Sequence, residues 1–195
     1  ILDGVESQEM SVRLIRSAER RIDLSAYTFD FDQIAKALIE AAAPDRVPKV
    51  RVYVDEGQAL TGVTKKMAGI LTEMFNVGIE VRLVPQMSHQ HSKTLRVDNA
   101  FQIVGSCNWT FASRRNFECG VLLKLNQEGQ QHFTKFYEAL RSGSRVFDAQ
   151  DGRATARYRE ERARSASATP QRERHMAQTF NILESLKETR ERRQR

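Results

Sequence analysis

Segments with the periodicity of helices alternate with segments with the periodicity of strands along most of this chain. Apolar residues recur every three or four positions in "FDQIAKALIEAA", and the same spacing returns twice before residue 143. Between these segments, "RIDLSAYTF", "KVRVYVD" and "GIEVRLV" show the alternation of half-buried strands. This order predicts an α/β domain in which helices lie on both faces of a mixed or mostly parallel β-sheet.

The composition changes after residue 150. Residues 151–195 hold 12 Lys and Arg against 7 Asp and Glu, and they carry +5 of the formal net charge of +6. Their large apolar residues fall mainly on one face of a predicted helix: Met176, Phe180, Leu183 and Leu186. We therefore predict one domain over residues 1–150 and a basic, partly helical C-terminal extension over residues 151–195. We expect the extension to dock onto a protein or an RNA-rich partner.

The composition also disfavours several classes of protein. No apolar run approaches the roughly 20 residues that a membrane-spanning helix needs, and no signal peptide is visible. Cys107 and Cys119 form neither a disulfide framework nor a metal-binding spacing. We therefore predict a reducing, intracellular compartment and no metal ion or other cofactor. The first residue is Ile1 rather than Met, which we interpret as a sign of a processed or partial chain.

The segment "HSKTLRVDNAFQIVGSCNWT" begins at His91 and places polar residues between strongly apolar neighbours. In a strand, His91 and Lys93 point to the same face. A histidine can act as a nucleophile or a general acid near neutral pH, and a lysine supplies a positive charge for a phosphate oxygen. The "GSCN" turn adds hydrogen-bond donors from Ser106 and Asn108 beside the small Gly105. This set predicts a site for a phosphate group.

The spacing His-x-Lys-x4-Asp, followed six residues later by Gly-Ser-x-Asn, resembles the HKD signature of the phospholipase D superfamily. The resemblance covers about residues 5 to 148. It is greatest to members with a single motif, namely the Nuc-type bacterial endonucleases and the mitochondrial cardiolipin hydrolase/Zucchini group. It implies a phospholipase D-like fold, a metal-independent phosphodiesterase and, through the second group, a mitochondrial location. Arg96 departs from the family pattern, which usually has an apolar residue there.

The resemblance also implies a role for each residue of the motif. His91 attacks phosphorus in such enzymes and forms a phosphohistidine intermediate. The residues expected to bind the phosphoryl oxygens are Lys93, Ser106 and Asn108. Glu118, in "NFECG", matches a family carboxylate that accepts a hydrogen bond from the catalytic imidazole. Asp98 and Gly105 belong to the motif in structural roles.

Three functions remain open at this point. The preferred prediction is a nuclease that acts on single-stranded nucleic acid, and the second is a hydrolase of a phospholipid such as cardiolipin. The third is a non-catalytic binding subunit that retains the fold within a larger assembly. Arg114 and Arg115 suit a groove for a polyanion and favour nucleic acid, with a solvated pair at a helix start as an equal alternative. His89 is expected in a turn rather than on the face of His91.

A chain with a single motif lacks a second group for proton transfer. When one histidine attacks phosphorus, the leaving oxygen needs a proton from the opposite side. The family supplies that group from a second HKD motif. We therefore predict a homodimer with its two-fold axis through the site, or a heterodimer with another HKD chain.

Overall fold

The computed structural model describes residues 1–47, 49–61, 66–148 and 150–153. The chain divides into two compact units, Ile1–Thr155 and Ala156–Arg195. The second unit lies outside the described residues, and with it the predicted C-terminal helix. The extension and its partner therefore stay predictions.

The described residues of the first unit form helices and strands in alternation, as the periodicity predicts. The α-helices are α1 (Gly4–Ser17), α2 (Asp32–Ala41), α3 (Glu56–Thr61), α4 (Met67–Asn76) and α5 (Gln127–Ser142). The strands are β1 (Ile22–Ala26), β2 (Val50–Asp55), β3 (Glu80–Val84), β4 (Lys93–Val97), β5 (Phe101–Gly105), β6 (Gly120–Lys124) and β7 (Arg145–Val146). Short 3₁₀ helices, Gln86–Ser88 and Ala112–Arg115, lie before β4 and after β5.

The described strands form one seven-stranded sheet in the order β6-β5-β4-β1-β2-β3-β7. The central strands β1, β2 and β3 run parallel, whereas β4, β5, β6 and β7 each pair antiparallel with a neighbour. The predicted α/β class and mixed sheet are confirmed. Four of the six described pairings are antiparallel. For β4 and β5 the reason is the short turn that joins them, since a turn of that length allows only antiparallel pairing.

One face of the sheet carries the apolar core. Side chains alternate along a strand, so Leu24, Val52 and Leu95 lie on this face, and all three are fully buried. They belong to one cluster with apolar residues of α1, α2 and α4, including Ile15 and Leu38. A second, smaller cluster joins Tyr53, Val84 and Tyr137 with apolar residues of α5.

The opposite face of the sheet is polar at its centre. Arg96 is fully buried there and donates to Asp23 at 2.7 and 3.1 Å, while its guanidinium lies 4.6 Å from the ring centroid of Tyr137 in α5. Arg21 and Arg51 also contact the Asp23 carboxylate, at 2.9 and 2.7 Å. Burial raises the pKa of Asp23, and the Arg96 and Arg21 guanidiniums oppose that rise. Arg96 is thus tolerated at a position where the family pattern is apolar because its charge is paired inside the protein.

Asp98 fixes the turn between β4 and β5. Its carboxylate accepts hydrogen bonds from the backbone N–H groups of Glu19, Arg20 and Arg21 at 2.8 to 2.9 Å. Asp98 and Asn99 have φ values of 53° and 57°, a left-handed conformation that Asp and Asn tolerate and that two-residue hairpin turns require. The turn is therefore tied to the segment that enters β1.

Residues after the predicted boundary at 150 are still bonded to the body. The Asp151 carboxylate accepts two hydrogen bonds from the Arg145 guanidinium at 2.8 Å each, and one from the backbone N–H of Asp148 at 2.9 Å. The division of the chain into a domain and an extension stays a prediction, and any truncation should retain Asp151.

We predict that Asp98→Ala lowers the free energy of unfolding by about 3 kcal/mol or more, because three backbone N–H groups lose a charged acceptor. Alanine is also strained at a φ of 53°. Asp32→Ala is the matched control, since the contact that Asp32 makes among the described residues is an exposed ion pair with Lys66, whose loss should cost less than about 1 kcal/mol. Urea denaturation measures both values. A loss at Asp98 no greater than that at Asp32 would show that the turn is not fixed in this way.

Candidate active site

The candidate site lies at the edge of the sheet where β4 begins and β5 ends. The strand register pairs Lys93 with Gly105, and Gly105 with Gly120. The segments that precede Lys93, follow Gly105 and precede Gly120 therefore meet at this edge. These segments carry the other predicted site residues: His91, Ser106, Asn108, Arg114, Arg115 and Glu118.

Lys93 and His91 contact each other directly. The Lys93 Nζ lies 3.1 Å from His91 Nδ1 and donates a hydrogen bond to the His91 carbonyl oxygen at 2.6 Å. His91 is exposed, whereas only 5% of Lys93 is accessible to solvent. No described residue forms a hydrogen bond with His91 Nε2. The site thus holds a buried amine beside an imidazole whose second nitrogen is free to meet a ligand.

Tyr27 forms one wall of the site, although the sequence pattern did not indicate it. Its ring centroid lies 4.7 Å from that of His91 and 5.4 Å from the Lys93 Nζ. The Gln58 side chain donates to the Tyr27 hydroxyl at 3.0 Å and orients it. Tyr27 directly follows β1, so only the pairing of β1 with β4 reveals that this end of β1 reaches the site.

Burial lowers the pKa of the Lys93 amine from its ordinary value, and the Glu118 carboxylate acts in the opposite direction. The cause is desolvation, because a charged ammonium loses hydration when it lies inside the protein. An anion bound at this point would offset that loss. The environment of Lys93 therefore favours a negatively charged ligand.

Ser106 and Glu118 form the other side of the site. The Ser106 hydroxyl donates to Glu118 Oε2 and accepts a hydrogen bond from the Cys119 backbone N–H at 3.2 Å. The Asn116 amide donates to Glu118 Oε1 at 3.2 Å. Among the described residues no hydrogen bond joins Glu118 to His91, and the contact that the family resemblance implies stays a prediction. The carboxylate orients the Ser106 hydroxyl instead.

The absence of a side chain at Gly105 allows β5 and β6 to approach each other at the site. A Cβ atom on Gly105 would lie 2.5 Å from the Cys119 carbonyl oxygen and 2.8 Å from the Gly120 Cα. These distances are too short for a real side chain. Glycine at this position therefore keeps Ser106 and Glu118 within hydrogen-bond reach.

The segment that contains Asn108 is held from behind by two buried side chains. The Gln8 amide of α1 donates to the carbonyl oxygens of Asn108 and Thr110 at 3.0 and 2.8 Å. The Trp109 indole donates to the Ser25 carbonyl oxygen at 2.9 Å. The Asn108 Oδ1 is buried and has no hydrogen-bond partner among the described residues. Gln8 gave no sequence signal, because a buried glutamine in a helix resembles any solvated one.

The two predicted arginines differ in their surroundings. Arg114 contacts Glu9 at 3.5 Å and lies 5.4 Å from the ring centroid of Phe31, so its charge is partly used within the protein. Arg115 is exposed, makes no ion pair among the described residues, and lies 5.3 Å from the ring centroid of Phe111. Of the two, Arg115 is the one available to an external anion.

His89 lies in a turn, as predicted. It follows the 3₁₀ helix Gln86–Ser88 with a φ of 40°, and its Nδ1 is 3.8 Å from the buried Asp55 Oδ2. Elsewhere in the described ranges, no group of three or more His, Cys, Asp or Glu side chains is arranged to hold a metal ion. No helix in the part of the chain that the structure describes is long and apolar enough to cross a membrane.

Comparison with known proteins gives the family. Residues 12–141 match the family model described as "Cardiolipin synthase, PLD-like domain". The chain belongs to this phospholipase D-like family. Curated relatives include the mitochondrial cardiolipin hydrolases of dog, 28% identical over 70% of this chain, and of mouse, 28% identical over 66%. This phospholipase D-like chain spans about half the length of those relatives, 51% and 55% respectively.

Solved structures share the fold of this phospholipase D-like chain. The phospholipase D family member Nuc from Salmonella typhimurium matches with a TM-score of 0.66 and 24% identity, over 73% of this chain and 91% of its own. NucT from Helicobacter pylori matches with a TM-score of 0.61 and 19% identity, over 74% of this chain and 92% of its own. Both confirm the predicted phospholipase D-like fold.

We predict that the free energy of unfolding depends on pH because the Lys93 amine is buried. A folded-state pKa below the unfolded value means that the unfolded chain binds more protons between the two pKa values. The free energy of unfolding of the wild type should therefore rise, relative to Lys93→Met, as the pH increases from 7 toward about 10.4. Urea denaturation at several pH values measures the difference. Lys135→Met, at an exposed position on α5, is the control and should show no such trend. A difference between wild type and Lys93→Met that does not vary with pH would contradict the prediction.

Proposed function

We propose that the chain is a phosphodiesterase that uses no metal ion and forms a phosphohistidine at His91. The observation that carries this proposal is the 3.1 Å contact between the exposed imidazole and the buried Lys93 amine. A nucleophile and a positive charge at this separation can both reach one phosphate group. Ser106 and Asn108, on the segment after β5, add hydrogen-bond donors for its oxygens.

In the first step, His91 Nε2 attacks phosphorus, a P–N bond forms, and the P–O bond to the leaving group breaks. This attack needs a lone pair on Nε2, so the ring proton has to reside on Nδ1. In the free chain Nδ1 faces Lys93, and a charged ammonium can only donate. We expect the bound phosphate to draw the ammonium toward its own oxygens, which frees Nδ1 to carry the proton.

In the second step, water attacks the phosphohistidine and gives a proton to the histidine that protonated the leaving oxygen in the first step, which the second chain proposed below supplies. The P–N bond breaks and the free imidazole returns. The negative charge of the phosphoryl group is balanced throughout by Lys93. In the free chain the Ser106 hydroxyl donates its one proton to Glu118, so it has to turn from that carboxylate before it can donate to a phosphoryl oxygen. The implied bond from Glu118 to the imidazole stays a prediction for the complex with substrate.

We propose single-stranded nucleic acid as the substrate. Arg115 is exposed and unpaired among the described residues, and it lies on the segment that follows the Asn108 turn. A basic side chain beside a phosphate site favours a substrate with further phosphates along the chain. The likeness to the solved structures of Nuc and NucT is compatible with this proposal, and it concerns the fold alone.

The second candidate function is hydrolysis of a phospholipid such as cardiolipin. It is favoured by the similarity to mitochondrial cardiolipin hydrolases, although this chain spans only about half of their length. The same similarity favours a mitochondrial location. A non-catalytic binding subunit is the third candidate, and it differs from the other two in showing no turnover.

We predict that His91→Ala abolishes phosphodiester cleavage, with a loss of at least about a thousandfold in kcat, because no other described side chain can form the covalent intermediate. The measurement is cleavage of a labelled single-stranded oligonucleotide in EDTA, in parallel with cardiolipin vesicles. His132→Ala removes an exposed histidine of α5 and is the control, expected to leave the rate unchanged. Cleavage that survives in His91→Ala, or that stops in EDTA, would falsify the mechanism. If the protein hydrolyses cardiolipin in vesicles but does not cleave the oligonucleotide, the substrate is the phospholipid.

A second chain is proposed to complete the site. The leaving oxygen needs a proton on departure, and the described residues offer no second histidine opposite His91 with a contact to Lys93 or Ser106. A two-fold homodimer brings a second His91 to the other side of phosphorus. In a heterodimer, another HKD chain would supply that second histidine.

We predict that activity belongs to the dimer. The specific activity of the homodimer should fall on dilution, in step with the dissociation seen by analytical ultracentrifugation. An excess of His91→Ala chains should suppress the wild-type rate, because a mixed dimer has only one of its two histidines, while His132→Ala chains should not suppress it. A monomer with the full rate per chain would rule out this arrangement.

A further inference from the structure

Phe117 is an apolar side chain that the fold leaves fully exposed at the site. It lies between Asn116 and Glu118 in the chain. The Asn116 amide donates a hydrogen bond to the Glu118 carboxylate, which also accepts the hydrogen bond from Ser106. The backbone that carries the exposed ring is therefore held on both sides by polar contacts of the site. An aromatic ring held in water by ordered neighbours has no role in the core of this chain.

The surroundings of Phe117 indicate what kind of partner it suits. Its neighbours in the chain, Arg115, Asn116 and Glu118, are polar or charged. Phe111, on the same segment, is 55% exposed and has the Arg115 guanidinium 5.3 Å from its ring centroid. An exposed ring on a segment that also carries a free guanidinium and a residue hydrogen-bonded to Ser106 fits a planar ligand with a polar edge and attached phosphates.

We propose that Phe117 stacks on a nucleobase adjacent to the phosphate that His91 attacks. This inference rests on the proposed nuclease function and names the contact that selects nucleic acid over other phosphodiesters. A base has a π-face for the ring, and Arg115 can approach the next phosphate of the strand. Stacking does not discriminate strongly among bases, so the contact selects single strands without selecting a sequence.

The test compares Phe117→Ala with the wild type on two substrates. On a single-stranded oligonucleotide, the variant should show a KM about tenfold higher with kcat nearly unchanged, because it loses one stacking contact. On bis(4-nitrophenyl) phosphate tested at low concentration, where no base is present, kcat/KM should change by less than about twofold. Val77→Ala removes an exposed apolar residue before β3, at the other end of the sheet, and should leave both substrates unaffected. Equal losses on both substrates, or no loss on the oligonucleotide, would overturn the inference.

Two further variants separate stacking from a general apolar contact. Phe117→Trp should retain the wild-type KM, whereas Phe117→Leu should behave like Phe117→Ala, since leucine keeps apolar area but has no π-face. If Phe117→Leu instead behaves like the wild type, and Phe117→Ala dissociates the dimer in ultracentrifugation, the ring contacts a second copy of the chain and the inference is wrong. If Phe117→Leu retains activity only on vesicles, the ring contacts lipid and the inference is equally wrong.

A binding measurement keeps the inference separate from the proposed catalysis. An oligonucleotide with a fluorescent 2-aminopurine base, titrated with the full chain in EDTA, should lose fluorescence as the base stacks. The His91→Ala chain, which binds without cleaving, should quench it, and the double variant His91→Ala/Phe117→Ala should bind about tenfold more weakly with less quenching. Quenching that depends on Phe117, together with a wild type that shows no cleavage, would support the stacking contact and reject the phosphodiesterase. Cleavage that depends on His91, with quenching equal in the single and the double variant, would reject the contact alone.

Discussion

The carboxylate of Asp98 fixes the element on which the whole site depends. It ties the turn between β4 and β5 to the segment that enters β1, through three backbone hydrogen bonds. This anchor sets the register of β4 against β1 at one end of the hairpin, and Lys93 and Gly105 lie at the other end. Since side chains alternate along a strand, a slip of one residue would turn Lys93 to the opposite face of the sheet and away from Tyr27 at the end of β1. A structural residue of the motif thus acts on the site from the far end of the strand.

On the polar face of the sheet, opposite the apolar core, Arg96 also fixes the position of β4. Arg96 pairs with Asp23 of β1 and lies against Tyr137 of α5, so a single buried guanidinium joins three elements. Removal of one member of such a pair leaves an unpaired buried charge, which is costly, whereas an apolar replacement of the whole group can be neutral. In this chain the paired Arg96 holds β4 in the position that presents Lys93.

The residues of the site that lie in one contiguous motif were predictable, and those brought in by the topology were not. Lys93 and Ser106 follow from the spacing of the motif and from strand alternation. Tyr27 and Gln8 become visible only when β1 is seen beside β4 and when α1 is seen behind the segment after β5. The pairing of Arg96 with Asp23 joins residues far apart in the chain, and periodicity carries no information on such a partner. The alternation of helix and strand was sufficient for the α/β class, but it carried no information on the antiparallel pairing of β4 with β1, strands that are far apart in the chain.

The covalent bond that we propose between His91 and phosphorus determines the stereochemistry of the reaction at phosphorus. Each in-line displacement inverts the configuration, so two successive displacements restore it. The measurement is hydrolysis of a phosphorothioate diester of known configuration in ¹⁸O-labelled water, with the configuration of the product determined by ³¹P NMR. A phosphohistidine intermediate predicts overall retention of configuration. Overall inversion would mean that water attacks the diester directly, and it would contradict the role proposed for His91.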